Sequence, residues 1–296
     1  MPAATPKLTR YGQISGDRLK LTVCPEAVTR REVHAVKIVV LVKQVPSADS
    51  GLFFGPDLTV ARDGRPAGLN AADWFAVDQG LRIAVRRRDV QITAVTMGPA
   101  EAVEALRTAL LLGADAAVHI RDEALHGSDA LATSRVLAAA VTRLGFDLVL
   151  CGAASADSGM SAVPAMVAER LGVPALCFAD ALVVRERKVE IHRDDGHGDL
   201  RVLAAAPPAV VSVTERCGEP RYPRYVSRVD ARDKPVSVWS LAALGIEAGQ
   251  VGLRGSASLV RAVTPRRGGR PRVLVEGDPT SAAIRVADFL AERQFL

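Results

Sequence analysis

At 296 residues, 49% hydrophobic and 24% charged, the chain is long enough for one large domain or two small ones, with a core that needs no staple. Its apolar runs reach only about six residues, as at 136–141, against ~20 for a bilayer span, and its Ala, Val and Leu content excludes disorder for most of its length. The net charge of +5 is modest and local, with six arginines and no acid at 254–272, and 4% aromatic residues supply no stacking platforms; this argues against nucleic acid and for an acidic protein partner.

Residues 1–35 carry Pro2, Pro6 and Pro25 and no sustained apolar period, and they lack the apolar core of a secretory signal; they are expected to form a flexible extension. Residues 37–42 are a β-branched run that reads as a buried strand. At 71–87, Trp74, Phe75, Val77, Leu81, Ile83, Ala84 and Val85 fall at roughly helical spacing. A strand at 90–95 follows, then a helix at 99–112 with Pro99 in its first turn and Gly113 past its end. Next come a strand at 116–120, a helix at 129–144 capped by Ser128 or Asp129, a strand at 148–150, and a helix at 161–171 closed by Gly172. Such alternation with short links predicts a mostly parallel sheet covered on both faces, a three-layer Rossmann-like α/β fold.

From 182 to 203 the period falls to two at Val183, Val189, Ile191, Leu200 and Val202, which predicts short antiparallel strands around a turn at 194–198. Residues 209–213 are one more buried strand. The stretch 214–235 is irregular and rich in Arg, Tyr and Pro; 241–246 reads as a short helix and 249–272 as a basic, Gly-rich linker. An amphipathic helix at 280–295 closes the chain, either packed back on the sheet or docked on something outside its domain. The four cysteines, Cys24, Cys151, Cys177 and Cys217, are far apart with no C-x-x-C pair, and read as reduced thiols of a cytoplasmic protein.

In a parallel α/β sheet, ligands bind beyond the carboxyl ends of the strands. Lys43-Gln-Val-Pro46, Met97-Gly-Pro99 and Thr214-Glu-Arg216 end strands there. So does the small-residue loop Gly152-Ala153-Ala154-Ser155-Ala156-Asp157-Ser158-Gly159-Met160-Ser161, which leads into a helix. The first N–H groups of a helix lack internal partners and sit at its positive end, so small residues there let a phosphate approach. Gly152, Gly159 and Ser161 suit that role, with Asp157 accepting from a ribose hydroxyl or from backbone amides; the alternative is an ordinary turn of small residues. The loop matches neither a Walker A nor a dinucleotide fingerprint. Asn70 stands just before the first long helix and can cap it or bond a ligand. No two histidines have metal-ligand spacing, no serine lies in a nucleophile elbow, and Cys151 ends a buried strand. The chain therefore reads as a binder or carrier before it reads as an enzyme.

Lys37-Ile-Val-Val-Leu-Val-Lys-Gln-Val-Pro46, Gly98-Pro-Ala100, Leu106-Arg-Thr-Ala-Leu110 with Gly113-Ala-Asp115, and Glu219-Pro-Arg-Tyr-Pro223 with Lys234-Pro235 occur in the order of a known family. From about residue 36 to 246 the chain resembles the beta subunit of electron-transfer flavoproteins. His126-Gly-Ser-Asp129, Ala162-Val-Pro-Ala165 and the C-terminal helix resemble the actinobacterial-type members.

The resemblance implies an adenine-nucleotide alpha-hydrolase-like domain at 36–246 and a heterodimer with an alpha subunit that makes most contacts to a redox FAD. The arm and helix of 247–296 would dock on that subunit. It implies a structural AMP in this chain, at Leu41, at Asn70, Ala71, Ala72 and Asp73, at Met97, and along the loop from Gly152 through Ala162 and Val163. Ala162 stands where many relatives have Gln. It also implies that 219–235 docks on acyl-CoA dehydrogenases, through Tyr222, Arg224, Tyr225 and Arg228, with Tyr225 in the place of an exposed leucine anchor. Electrons would pass on to a quinone reductase. Two alternatives stay open: a bifurcating relative with a second FAD in place of AMP, and a stand-alone adenine-nucleotide module like the universal stress proteins.

Overall fold

The computed structural model describes residues 35–47, 51–62, 66–87, 89–185, 187–194, 196, 199–223, 230–264 and 274–295. The expected extension, apart from its last residue, and Arg224, Tyr225 and Arg228 lie outside these.

The first strand, β1 (Val36–Leu41), is built from β-branched residues, and Ile38, Val39 and Val40 are all buried. Continuous burial along a strand requires cover on both faces. Two short strands, β2 (Gln44–Pro46) and β3 (Ala67–Leu69), pair antiparallel just beyond it. Helix α1 (Ala71–Arg86) then leads back to β4 (Val90–Met97). After a 3-10 turn at Ala100–Ala102, α2 (Val103–Leu112) ends on Gly113, whose φ of 137° suits glycine. β5 (Ala116–Ile120) is followed by α3 (Ala130–Leu144), with the Asp129 side chain accepting from Ala132 N as its cap. β6 (Leu148–Gly152) leads through the small-residue loop to α4 (Val163–Leu171).

The remaining strands are β7 (Ala175–Ala179), β8 (Ala181–Arg185), β9 (Lys188–Asp194), β10 (Leu200–Ala205), β11 (Ala209–Val213) and β12 (Val236–Trp239). Among the described residues, seven strands form one parallel sheet in the order β12-β5-β4-β1-β6-β11-β7, and β8, β9 and β10 form a separate antiparallel sheet. Side chains alternate across the sheet. Ile38, Val40, Ile92 and Leu150 meet Leu106 and Leu110 of α2, Val77 of α1, and Val189 and Ile191 of β9 on one face. Val39, Val95, Val149 and Val210 meet Val136 and Val141 of α3 and Val167 of α4 on the other. This is the expected three-layer fold.

The edge strands β7 and β12 and the β2–β3 ribbon were not foreseen. The helix expected from 161 starts two positions later, because Ser161 has a φ of 58°. The expected linker is partly packed. Val251 is buried, and Gly252, at a φ of 67°, lies against the backbone of Ala124 and His126, where a Cβ would collide with Ala124 O. Asp129 then ties down the backbone of Ala257 and Ser258. The C-terminal helix (Pro279–Glu292) has no buried residue, and Ile284, Val286 and Phe289 are exposed; it does not pack back on the sheet. Among the described residues no helix is long and apolar enough to cross a membrane.

Candidate functional site

From β1 the chain moves outward to β4 and β5 on one side, and returns to β6 and β11 on the other. The order reverses between β1 and β6, and the crevice of such a sheet opens beyond the carboxyl ends of those two strands. Residues after β1, the loop after β6 and the start of α1 form its rim.

Asp73 holds these parts together. Its carboxylate accepts Lys43 N at 2.8 Å and Gly152 N at 3.1 Å, joining the ends of β1 and β6. Burial pushes its carboxyl up to about 7, against the pull of Asn70 and the two amides. A Cβ on Gly152 would overlap the Asp73 carboxylate and come within 2.7 Å of Ala72 Cβ, so glycine is required by close approach. Asn70 stands at the N-cap of α1, but its side chain neither caps the helix nor is left open. Its Nδ2 donates to Ala154 O at 2.9 Å and its Oδ1 accepts from Ala156 N at 3.0 Å, gripping the loop backbone. The β2–β3 ribbon sets it there, since Asn70 N donates to Lys43 O.

The loop closes on itself through Gly159 N to Ser155 O and a 2.7 Å contact between the Ser155 and Ser158 hydroxyls. Gly159, at a φ of 59°, has open space around it. Ala162, at the N-cap of α4, offers no capping side chain, so the amides of Val163 and Ala165 carry no cap, Pro164 between them having no N–H. Ser158 and Met160 are exposed, whereas Ala72, Gly152 and Ala153 are buried as scaffold. Leu41 is buried in the core on the α3–α4 face, so only its backbone reaches the rim. Met97 is half-buried at the end of β4, in a cleft of about 50 Å³ lined by Lys43, Gln44, Arg62, Gly98, Pro99 and Ala102. A larger cleft of about 200 Å³ lies at the opposite, amino end of the sheet, against Lys37, Gln91, Ala116 and Trp239.

Asp157 is turned inward, its side chain 1% exposed, with Lys43 Nζ at 2.7 Å and Arg62 Nη2 at 2.5 Å. Burial alone would raise its carboxyl; the two bases outweigh that and hold it at about 2. Arg62 was not singled out from sequence, and Lys43 was noted only at the head of the strand-end segment 43–46. Lys43 directly follows the first strand, which was a usable signal. Arg62 sits in an irregular loop with none.

A second cluster lies on α1. Asp78 accepts from Arg82 Nε at 2.5 Å and from Arg221 Nε at 2.9 Å. Arg82 also donates to Glu219 O, and Gln79 to Cys217 O, both at 2.6 Å. The arginine of the Glu-Pro-Arg-Tyr motif thus pairs with a buried acid of the chain itself. Tyr222 is 86% exposed, its ring 6.4 Å from that of Trp74.

The described histidines are each engaged. His119 is buried against Gly98 O, His126 meets Asp57 and His192 meets Glu190. Burial pushes the Cys151 thiol well up and the Cys217 thiol up to about 11, which blunts both as nucleophiles. Among the described residues no group of three or more His, Cys, Asp or Glu could hold a metal ion.

Comparison with known proteins places this geometry. The family model for the electron transfer flavoprotein domain matches residues 57–244. The electron transfer flavoprotein subunit beta of Mycobacterium tuberculosis is 39% identical over 236 residues, covering 77% of this chain and 88% of that protein. That of Megasphaera elsdenii is 32% identical over 258 residues, covering 84% and 95%. The caffeyl-CoA reductase-Etf complex subunit CarD of Acetobacterium woodii is 30% identical over 228 residues, covering 76% and 86%. With a family model spanning well over half its length and relatives aligned along most of it, the chain belongs to the electron transfer flavoprotein family, among its beta subunits.

Proposed function

We propose that the chain is the carrier-type beta subunit of a heterodimer, holding a structural AMP while an alpha subunit makes most contacts to a redox FAD. The observation that carries this is the loop after β6. Its glycine at Gly159 is open, its helix has no side-chain cap, and Asp73 and Asn70 hold its backbone in place. That arrangement suits an adenylate, with the phosphate on backbone amides of the loop and helix start other than that of Gly159, which Ser155 O already accepts. When bound, FAD supplies the one- and two-electron chemistry. This chain supplies a shaped, water-excluding partner for it.

Donors in this reading are acyl-CoA dehydrogenases, recognised through 219–235, and the acceptor is a quinone reductase. The exposed C-terminal helix docks on the alpha subunit, with Val286 and Phe289 on one face. Co-expression with an alpha subunit should give a yellow heterodimer that releases one FAD and one AMP on denaturation. A colourless monomer that binds ATP tightly and ignores alpha subunits would refute the reading. A second reading, with FAD in place of AMP, draws on the Acetobacterium woodii relative, whose name places it in a reductase complex. Release of two FAD and no AMP would select it.

A further inference from the structure

Arg62 is placed on the nucleotide loop without being needed to neutralise it. Asp157 is the loop's one acid, and Lys43 already reaches it at 2.7 Å while also touching Ser155 Oγ at 3.3 Å. Arg62 adds a second base at 2.5 Å, steadied by its Nη1 on Gln44 O at 3.0 Å. Two bases against one carboxylate leave a surplus positive charge. Asp73, beneath the loop with its oxygens on the backbone amides of Lys43 and Gly152, feels the Lys43 charge, but burial pushes its carboxyl up to about 7 and makes it at most a partial counter-charge. The surplus lies on the loop that leads into α4, and both bases keep part of their side chains in solvent, 39% for Lys43 and 23% for Arg62. A guanidinium has more donors than Asp157 and Gln44 consume, in a planar fork that matches phosphate oxygens.

We propose that Arg62, acting with Lys43, is a phosphate-selecting residue of this site, favouring a nucleoside monophosphate over the bare nucleoside. The inference rests on the adenylate reading of the loop and goes beyond it by assigning the phosphate a side chain outside that loop. Asp157 then has a further role: it holds both bases in place before the nucleotide arrives, so that binding does not have to order them.

The test is calorimetric titration of the alpha–beta complex, freed of nucleotide, with AMP and separately with adenosine. Arg62→Gln should weaken AMP by about 10- to 100-fold, the worth of one charge-assisted contact, and leave adenosine unchanged. Arg62→Lys, which keeps the charge and loses the fork, should recover part of the loss. Equal losses for AMP and adenosine would assign Arg62 a merely structural role and overturn the inference, as would a folded Arg62→Gln complex with unaltered AMP affinity. If Arg62→Gln does not fold, Arg62→Lys decides alone: it must weaken AMP more than adenosine. A wild-type complex that binds both equally refutes the inference and spares the adenylate reading. One that binds neither refutes both.

Discussion

Replacing Asp78 by Ala tests how the segment after β11 is held on α1. The carboxylate is 4% exposed and accepts from Arg82 and Arg221, whose side chains are 44% and 48% exposed. Two charge-assisted side-chain hydrogen bonds of ~1.5–3 kcal/mol each are removed, along with a longer one from Arg221 N at 3.3 Å. Both arginines can rehydrate, so the ~3–5 kcal/mol cost of orphaning a buried charge does not apply in full, and the expected loss is about 2–3 kcal/mol. In urea that is a midpoint shift of roughly 1 M. The pH dependence has a definite sign. Burial raises the Asp78 carboxyl, but Arg221 and Arg82 outweigh it and hold the folded-state value below the ordinary 3.8. The stabilisation is therefore full above 3.8 and fades only as pH falls through the lower folded-state value. Urea titrations of both proteins at ~pH 7 and ~pH 5 should give the same gap. A loss under about 0.5 kcal/mol, or a gap that shrinks between those two conditions, would refute this account.

Asp73 works in the opposite sense. Its folded-state value is raised from 3.8 to about 7, so its contribution to stability falls as pH rises across that window and levels off above it. The fall amounts to at most about 4 kcal/mol, and Asp73→Asn should flatten it; an unchanged slope of stability against pH would contradict the burial argument. Gly152→Ala should cost about 1–3 kcal/mol by overpacking against Ala72 and Asp73, read as a lower denaturation midpoint, and a neutral result would show that the crevice has slack. With 219–235 as the docking loop proposed above, Tyr225→Ala should slow reduction of the complex by an acyl-CoA dehydrogenase with FAD content and fold intact; loss of the fold would make the residue core.

The parallel sheet was legible because its central strands are dense in β-branched residues and its helices carry clear stops at Gly113 and Gly172. The edge strands were not. β7 reads Ala-Leu-Cys-Phe-Ala and β12 Val-Ser-Val-Trp, each too short and too mixed to signal a strand without the neighbour it pairs with. At the site, the loop of small residues between a buried strand and a helix announced itself. Asn70 and Asp73 were expected there as ligand contacts, but their grip on the loop was not legible and Arg62 was missed, since these side chains and Lys43 reach Asp157 or the loop backbone from far along the chain. The Asp78–Arg221 pair shows the same limit: the Glu-Pro-Arg-Tyr motif suggested an outward surface, and only the fold reveals that its arginine is spent internally.

The position of β12 has a consequence for how the molecule is made. This strand closes the β5 side of the sheet, yet it arrives from β11, near the opposite edge. Between them the chain touches α1 through Arg221 and α2 through Lys234, which donates to Leu110 O and Ala114 O. Pairing of Val236 with Ala117 and of Trp239 with Ile120 is thus among the longest-range contacts in the sheet, and contacts of that kind form late. Until it forms, a nascent chain displays β5 as a naked hydrogen-bonding ladder, ready to recruit a neighbour. Weakening the Arg221 tether should then harm refolding yield, through aggregation, more than the lifetime of the finished molecule.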